Sequence, residues 1–565
     1  MAFAALIVAV IAGAVPADDA FSGFGHPATV IIALVLVISR GLSHAGVIEY
    51  VARRVVDAAR PLPGHIGLMA GVAAAMSAVM NNVAALALLM PIDLQAAAKA
   101  GRSPAYSLMP LSFATILGGM VTLIGTPPNI IVAEFRGAAL GTSFGMFDFA
   151  PVGGVCAAAG VLFVALFGWR LIPAGRRGAD ATAELRALKE YITELRVPEE
   201  SSILGKTVAD LDEATEEHEV TLLGLVRYGR RYPGTARREV LRQDDILVIE
   251  GGPEGIDAFR GTLDLRVVER EDEDDDTLKE RDFEMREVVA PQGAFIEGRR
   301  VGTLSLQQRY RVSLLGLSRQ GERIRKRIGD TVVQAGDVLL LLGSGDNLTD
   351  ATQRLGCLPL AERGLDVVQR SRAGLASGIF ALAIILASVG LLPLPIALGA
   401  VVVLFVLFGI MPLRELYNSV EWSVIVLLGA LIPIGQALET SGGTELIAGA
   451  LVDASTGMPA WVLLTLLMLI TMTLSDVMNN TAMAVVAAPI ALEIAEDLEV
   501  SADPFLMAVA VAASCAFLTP IGHKNNVLIM GPGGYRFGDY WRMGLPLEIL
   551  VVAVGVPMIL LVWPL

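Results

Sequence analysis

The sequence predicts a polytopic α-helical membrane protein with inverted repeats and re-entrant hairpins, interrupted by inserted small α/β cytoplasmic domains. Three observations carry that expectation. Of 565 residues, 54% are hydrophobic and only 18% charged, and mean hydropathy is +0.62, a composition of membrane-spanning chains. The charge is unevenly spread: residues 173–372 hold 31 of the 43 Lys+Arg and 38 of the 58 Asp+Glu. Finally, one seventeen-residue pattern occurs twice, 398 residues apart, as MSAVMNNVAALALLMPI (76–92) and LSDVMNNTAMAVVAAPI (474–490). A polar Asn-Asn placed twice in apolar sequence costs desolvation twice. Paired polar breaks are how many secondary transporters build a midplane site.

Composition also sets exclusions. A net charge of −15 argues against nucleic-acid binding. The acidic run EREDEDDD (269–276) reads as a solvated linker rather than a metal site. Cys156, Cys357 and Cys515 are too scattered for a disulfide framework or a zinc site. The apolar N-terminus resembles a signal peptide's core but lacks its basic leader, and it is expected to be a retained first helix.

Apolar runs fall at about 2–15, 27–48, 64–98, 103–135 and 146–172, then 373–391, 394–411, 422–440, 458–492, 502–530 and 541–565. Basic residues favour the cytoplasmic side. Arg53, Arg54 and Arg60 precede the 64–98 run, and Lys99 and Arg102 follow it. Both of its ends should then be inside, making it a re-entrant hairpin with Asn81-Asn82 near the tip. The second copy is flanked by Asp453, Glu493, Glu496, Asp497 and Asp503, so its ends should face outward. Counting on gives nine crossings plus two hairpins, with Arg170, Arg370, Arg372, Arg414, Arg536 and Arg542 inside and residues 2–15 as the first crossing. The expected location is the cell (inner or plasma) membrane, multi-pass, with 173–372 cytoplasmic.

The duplication runs further. Thr122–Asn129 (TLIGTPPN) aligns with Thr519–Asn526 (TPIGHKNN), and Asp148-Phe149…Gly153 with Asp539-Tyr540…Gly544. The first membrane half is 1–172 and the second 373–565, with repeats at about 27–172 and 422–565. The insert is duplicated too: residues 221–251 match 313–343 at an offset of 92. Each copy shows a strand, a charged turn and a second strand. Two domains at 190–262 and 283–358 are expected, joined by the acidic linker 263–282.

A helix broken at depth frees N–H groups at one end and C=O groups at the other. The positive end suits an anion and the carbonyl end a cation. Asn supplies donors and acceptors without permanent charge. Ser77 and Ser475 lie four residues before Asn81 and Asn479, on the same helical face. These hard oxygens fit an alkali cation. The two further breaks are Gly125-Thr126-Pro127-Pro128-Asn129 and Gly522-His523-Lys524-Asn525-Asn526. Prolines remove amide donors, and a Lys in a membrane segment is read as functional by default. His523 and Lys524 thus offer a cation to a doubly charged anion. Asp476 is open to binding a cation or proton, or to pairing with Lys524.

S-x-x-x-N-N at both tips, GGMVTLIGTPPN (118–129), SCAFLTPIG (514–522) and the paired Asp-aromatic…Gly ends resemble the divalent anion–sodium symporter family across the membrane part. The resemblance implies dimers with an elevator motion that carry dicarboxylates or sulfate with sodium. The family's Ser-Asn-Thr signature corresponds here to Asn81-Asn82-Val83 and Asn479-Asn480-Thr481, and its second Thr-Pro-Pro-Asn to His523–Asn526. TPIGHKNNVLIMGPGGYRFGDY (519–540) is similar to the sulfate-associated branch. The insert resembles two copies of the C-terminal half of RCK potassium-conductance regulators.

The expected activity is sodium-coupled symport of a small divalent anion, sulfate first and a dicarboxylate second. Ser77, Asn81, Asn82, Gly125 and Asn129 would form one sodium site. Ser475, Asn479, Asn480, Gly522 and Asn526 would form the other. Asn82, Thr126, Asn480, Thr481, His523, Lys524 and Asn525 would face the anion. No enzymatic role and no cofactor beyond the coupling sodium ions is expected. Partners would be the anion, Na⁺, the bilayer, a second copy in a homodimer, and a small ligand of the insert, regulatory unless it is a passive appendage. Two other classes stand against this reading: a cation/proton antiporter using Asp476, and a ligand-gated cation channel, for which no TVGYG-type filter is present.

Overall fold

A computed structural model describes residues 2–45, 61–173, 192–218, 220–227, 230–233, 239–250, 253–267, 284–320, 322–324, 330–360, 372–454 and 458–565. Arg53, Arg54, Arg60, Arg370 and residues 268–282 of the acidic linker lie outside the described residues, as do the side chains of Asp453 and Arg414. The chain forms two compact units, residues 1–179 with 361–565, and residues 180–360.

In the first unit, α1 is Ala2–Ile11 and α2 Pro27–His44. Two arms, α3 (Leu62–Ser77) and α4 (Asn82–Lys99), form a helical hairpin. α5 (Ala105–Gly119) and α6 (Pro127–Leu140) are one run broken at 120–126, and α7 is Ala150–Leu166. After the insert come α8 (Ala373–Ser388), α9 (Leu394–Leu407), α10 (Leu413–Ser419), α11 (Trp422–Thr440) and α12 (Gly443–Ala454). A second hairpin follows, α13 (Ala460–Ser475) and α14 (Asn480–Asp497). α15 (Ala502–Ser514) and α16 (Lys524–Met530) flank the second break, and α17 is Trp541–Val562.

Contacts repeat between the halves. α3 packs on α5 and α7 as α13 packs on α15 and α17. The helix after each break crosses to the other copy: α6 lies on α14 and α15, and α16 on α4 and α5. α7 and α17 pack together. Phe113 and Phe517, both fully buried, meet with ring centroids 5.0 Å apart.

One expectation needs correction. Residues 2–15 do not form a spanning helix: α1 has ten residues, a rise of about 15 Å against a hydrocarbon core of about 30 Å. Gly13 turns left-handed (φ 77°) and ends the run. Among the described residues three stretches are long and apolar enough to cross a membrane, Ala17–His44, Trp422–Thr440 and Trp541–Val562. Other apolar helices have 10–17 residues, so nine full crossings are not seen among the described residues.

The second unit holds two five-stranded sheets. β1 (Ile192–Arg196), β2 (Thr221–Arg227), β3 (Arg230–Pro233), β4 (Ile246–Glu250) and β5 (Arg266–Val267) run in the order β3-β2-β4-β1-β5. β6 (Glu284–Val289), β7 (Ser313–Arg319), β8 (Glu322–Arg323), β9 (Val338–Gly343) and β10 (Leu358–Pro359) repeat that order from the other edge, β10-β6-β9-β7-β8. Even the register irregularity recurs, at Leu222/Gly224 and Leu314/Gly316. Strand β5 puts the end of the first sheet at Val267 rather than at 262, because its antiparallel bonds to Leu195 and Arg196 close the sheet edge. The second sheet likewise reaches Pro359, one residue past the boundary expected at 358, through its pairing with Val288.

Candidate functional site

Each hairpin turns where its Asn pair begins. Asn81 Oδ1 accepts from Val83 N–H at 2.8 Å and Asn479 Oδ1 from Thr481 N–H at 2.9 Å, so the first Asn of each pair is the N-cap of the returning arm. Ser77 and Ser475 end the descending arms, fully buried, and donate to Asn82 Oδ1 (2.6 Å) and Asn480 Oδ1 (3.0 Å). Ser475 Oγ also lies 2.7 Å from Ala513 O.

The breaks are tied to the tips in the same way in both copies. Thr122 Oγ1 donates to Ala78 O, and Thr519 Oγ1 to Asp476 O. Asn129 Nδ2 returns to Thr122 O (2.8 Å) and Gly119 O (3.4 Å). Asn526 Nδ2 returns to Thr519 O (3.1 Å) and Ala516 O (3.0 Å). Carbonyls freed by each break are thereby satisfied by an Asn of the following helix. Gly125 stands against Gly119 O, where a Cβ would come within 2.4 Å, and a Cβ on Gly522 would come within 3.0 Å of the Asp476 backbone.

The first tip reaches the second break. Asn525 Nδ2 donates to Asn82 O (3.0 Å) and Thr115 Oγ1 (2.6 Å). Ser112 Oγ donates to Asn526 Oδ1 at 2.9 Å. His523 caps α16, its Nδ1 accepting from Asn525 N–H (3.1 Å), while its Nε2 lies 3.4 Å from Asn82 Nδ2. In a neutral ring with Nδ1 accepting, Nε2 carries the proton. Two donors thus face each other across 3.4 Å.

Lys524 does not reach Asp476. It forms an ion pair with Glu421, Nζ to Oε2 2.5 Å. Asp476, 2% exposed, accepts from Leu518 N–H at 2.9 Å through Oδ1 and is a side-chain neighbour of the buried Glu548. Thr126, Asn480 and Thr481 are buried, and Thr126 makes no side-chain cap bond. Among the described residues no hydrogen bond joins Thr126 or Asn129 to Asn480 or Thr481, so the first break and the second tip stay unlinked while the second break and first tip are bonded.

Sequence reading missed Ser112, Thr115, Glu421 and Glu548. Asp476 and Glu548 are both intramembrane carboxyls, a signal that composition alone carries; Ser112 and Thr115 gave none, since hydroxyls are common in such helices. A buried brace was missed too: Asp93 accepts from Ser107 (2.5 Å) and lies 2.7 Å from His65 Nε2, linking both arms of the first hairpin to α5.

Several buried oxygens in the breaks and beside them have no hydrogen-bond partner: Asn129 Oδ1, Asn525 Oδ1, Asp476 Oδ2 and Glu548 Oε1. Oxygens left bare in a dry site suit a hard monovalent cation, so the donor set is compatible with sodium.

The chain matches a family model described as citrate transporter over residues 1–493, with a second match over 456–565. It is 31% identical to an uncharacterized transporter of Synechocystis sp., covering 99% of this chain and 93% of that protein. It is 29% identical to the uncharacterized transporter YfbS of Escherichia coli, covering 99% and 94%. Sodium/sulfate cotransporter 1 of Chlamydomonas reinhardtii is 26% identical over 57% of this chain and 38% of its own length.

Proposed function

Since this chain belongs to the citrate transporter family, whose members are transporters and not enzymes, we propose that it is a sodium-coupled symporter of a small divalent anion, sulfate first. The finer placement is within the divalent anion–sodium symporters, in the sulfate-type branch. The Chlamydomonas relatives named sodium/sulfate cotransporters support it. The observation that carries the reading is the tip-and-break unit, built twice with the same bonds, whose buried oxygens and opposed N–H donors are left over.

Ser77, Asn81, Asn82, Gly125 and Asn129 would hold one sodium ion, and Ser475, Asn479, Asn480, Gly522 and Asn526 the other. Of these, Asn129 Oδ1 is the oxygen with no protein partner; Asn81 and Asn479 are engaged as caps. Sodium supplies positive charge that lets a dry site hold a dianion. Asn82 Nδ2 and His523 Nε2 lie 3.4 Å apart, close enough for one anion oxygen beside them to accept from both N–H groups. Thr126, Asn480, Thr481, Lys524 and Asn525 complete the anion side. Thr122 and Thr519 clamp each tip to its own break, so tip and break move as one body, as an elevator motion in a homodimer requires. The repeats would be inverted across the bilayer, with 173–372 cytoplasmic and its two sheets RCK-like and regulatory.

A second reading rests on Asp476 and Glu548, two neighbouring buried carboxyls that suit a proton better than an anion. It makes the protein a cation/proton antiporter. Proteoliposomes separate the two. Labelled sulfate, thiosulfate, molybdate, succinate and citrate are offered with and without an inward sodium gradient. Sodium-stimulated uptake of sulfate is the expected result. Uptake indifferent to sodium removes the coupling, and cation-driven proton flux without any anion installs the antiporter instead.

A further inference from the structure

Lys524 is the one fully charged cation in the proposed anion site, and its counterpart in the first copy is Pro127. Its ammonium is already taken. Glu421, the residue that precedes α11 and belongs to neither hairpin nor break, lies with Oε2 2.5 Å from Lys524 Nζ. Both side chains are about one-third exposed, at 33% and 35%, so the pair is not sealed in the core. Glu421 N-caps α11 by position yet makes no side-chain cap bond. Its carboxylate is therefore not needed by its own helix. A carboxylate held on a binding-site ammonium has the charge and the hydrogen-bond geometry of the ligand that the ammonium would otherwise hold.

The geometry points to Glu421 as a tethered competitor: its carboxylate holds Lys524 in the empty site and must be displaced by the incoming divalent anion. This rests on the reading of Lys524 as an anion ligand. It makes Glu421 a residue that sets affinity without touching the transported solute. It also explains why a site that holds an ammonium need not trap a dianion, since each release is helped by the returning carboxylate. A monovalent anion, able to displace the pair less well, is disfavoured by the same contact.

Because partly exposed ion pairs are weak, removing the competitor should lower the half-saturation for sulfate by about two- to fivefold. The experiment measures sodium-driven [³⁵S]sulfate uptake in proteoliposomes for wild type, Glu421→Gln, Lys524→Gln and the double variant. Expected are a lower half-saturation for Glu421→Gln with the maximal rate largely kept, a value raised at least about tenfold for Lys524→Gln through the lost charged bond, and a double variant that equals Lys524→Gln. An unchanged half-saturation in Glu421→Gln, or the same shift in the Lys524→Gln background, overturns the proposal. If Glu421→Gln is not recovered folded, Glu421→Asp is read instead. Its shorter reach should lower the half-saturation part of the way, and no change overturns the proposal. A wild type without sodium-driven sulfate uptake refutes the underlying symport reading, and it is seen before any variant is compared.

Discussion

Two arginines in the insert occupy equivalent places but stand in different surroundings. Arg227 forks onto Asp245 at 2.7 Å through two nitrogens and reaches Val240 O. Arg319 forks onto Asp337 at 2.7 and 2.8 Å and reaches Val332 O. In each case the carboxylate raises the guanidinium's pKa above its ordinary value through the direct hydrogen bonds. The side chain of Arg227 is 9% exposed and that of Arg319 30%. Arg227 has a second ion partner in Glu239 at 3.2 Å, itself 42% exposed, but Asp245 supplies both of its short charged bonds. Removing a partner from a buried pair costs up to about 3–5 kcal/mol, whereas a partly open guanidinium can rehydrate. Asp245→Ala should therefore loosen the first sheet far more than Asp337→Ala loosens the second. Hydrogen exchange in the full-length protein checks this: amides of β2 and β4 should lose protection in Asp245→Ala, and those of β7 and β9 should keep most of theirs in Asp337→Ala. Equal losses would show that exposure does not decide the cost. The offset of 92 made both pairs visible in the sequence as repeated Arg and Asp. Their difference in burial was not visible, because it depends on which side chains cover each sheet.

At the scale of elements, the repeated glycines explain why the halves duplicate beyond their polar residues. A Cβ on Gly153 of α7 would lie 2.2 Å from Met120 O, and one on Gly544 of α17 would lie 2.3 Å from Phe517 O. Each glycine lets a long helix press against the backbone of a break. Backbone cannot swing aside as a side chain does, so overpacking here should cost about 1–3 kcal/mol. Gly153→Ala and Gly544→Ala should each lower the midpoint of thermal unfolding in detergent. Gly154→Ala, with open space around its Cβ, is the control and should leave it unchanged. The polar half of the same motif is equally local: Asp148 accepts from Gly145 N–H and Asp539 from Arg536 N–H, three residues back in each case. Asp-aromatic…Gly, the Asn tips and the breaks were legible because each is a short pattern fixed by one local backbone need. Helix length was not. The apolar run 2–15 looks continuous, yet one left-handed glycine ends it. The crossing partners of α6 and α16 were hidden as well, since contacts hundreds of residues apart leave no periodicity to read.

At the scale of the whole molecule, the two sheets form a unit separate from the one that holds the tips and breaks. The membrane unit consists of residues 1–179 and 361–565, and residues 180–360 form a unit with their own hydrophobic clusters around Leu247 and Leu339. Each sheet buries its own core. Removing the insert should therefore leave the helical part folded, provided that a flexible linker replaces it. A passive appendage predicts unchanged sulfate uptake on deletion of 180–360. A regulatory pair predicts an altered maximal rate with the half-saturation for sulfate kept, because the tip-and-break geometry lies wholly in the other unit. The regulatory outcome is the expected one, since a duplicated, well-packed fold with matched Arg–Asp clamps is more structure than a tether needs. Uptake kinetics of the deletion, set beside wild type at equal reconstituted amounts, decide it: a changed half-saturation with an unchanged rate would mean that the insert acts on the binding site itself and would refute the division of labour drawn from the two units.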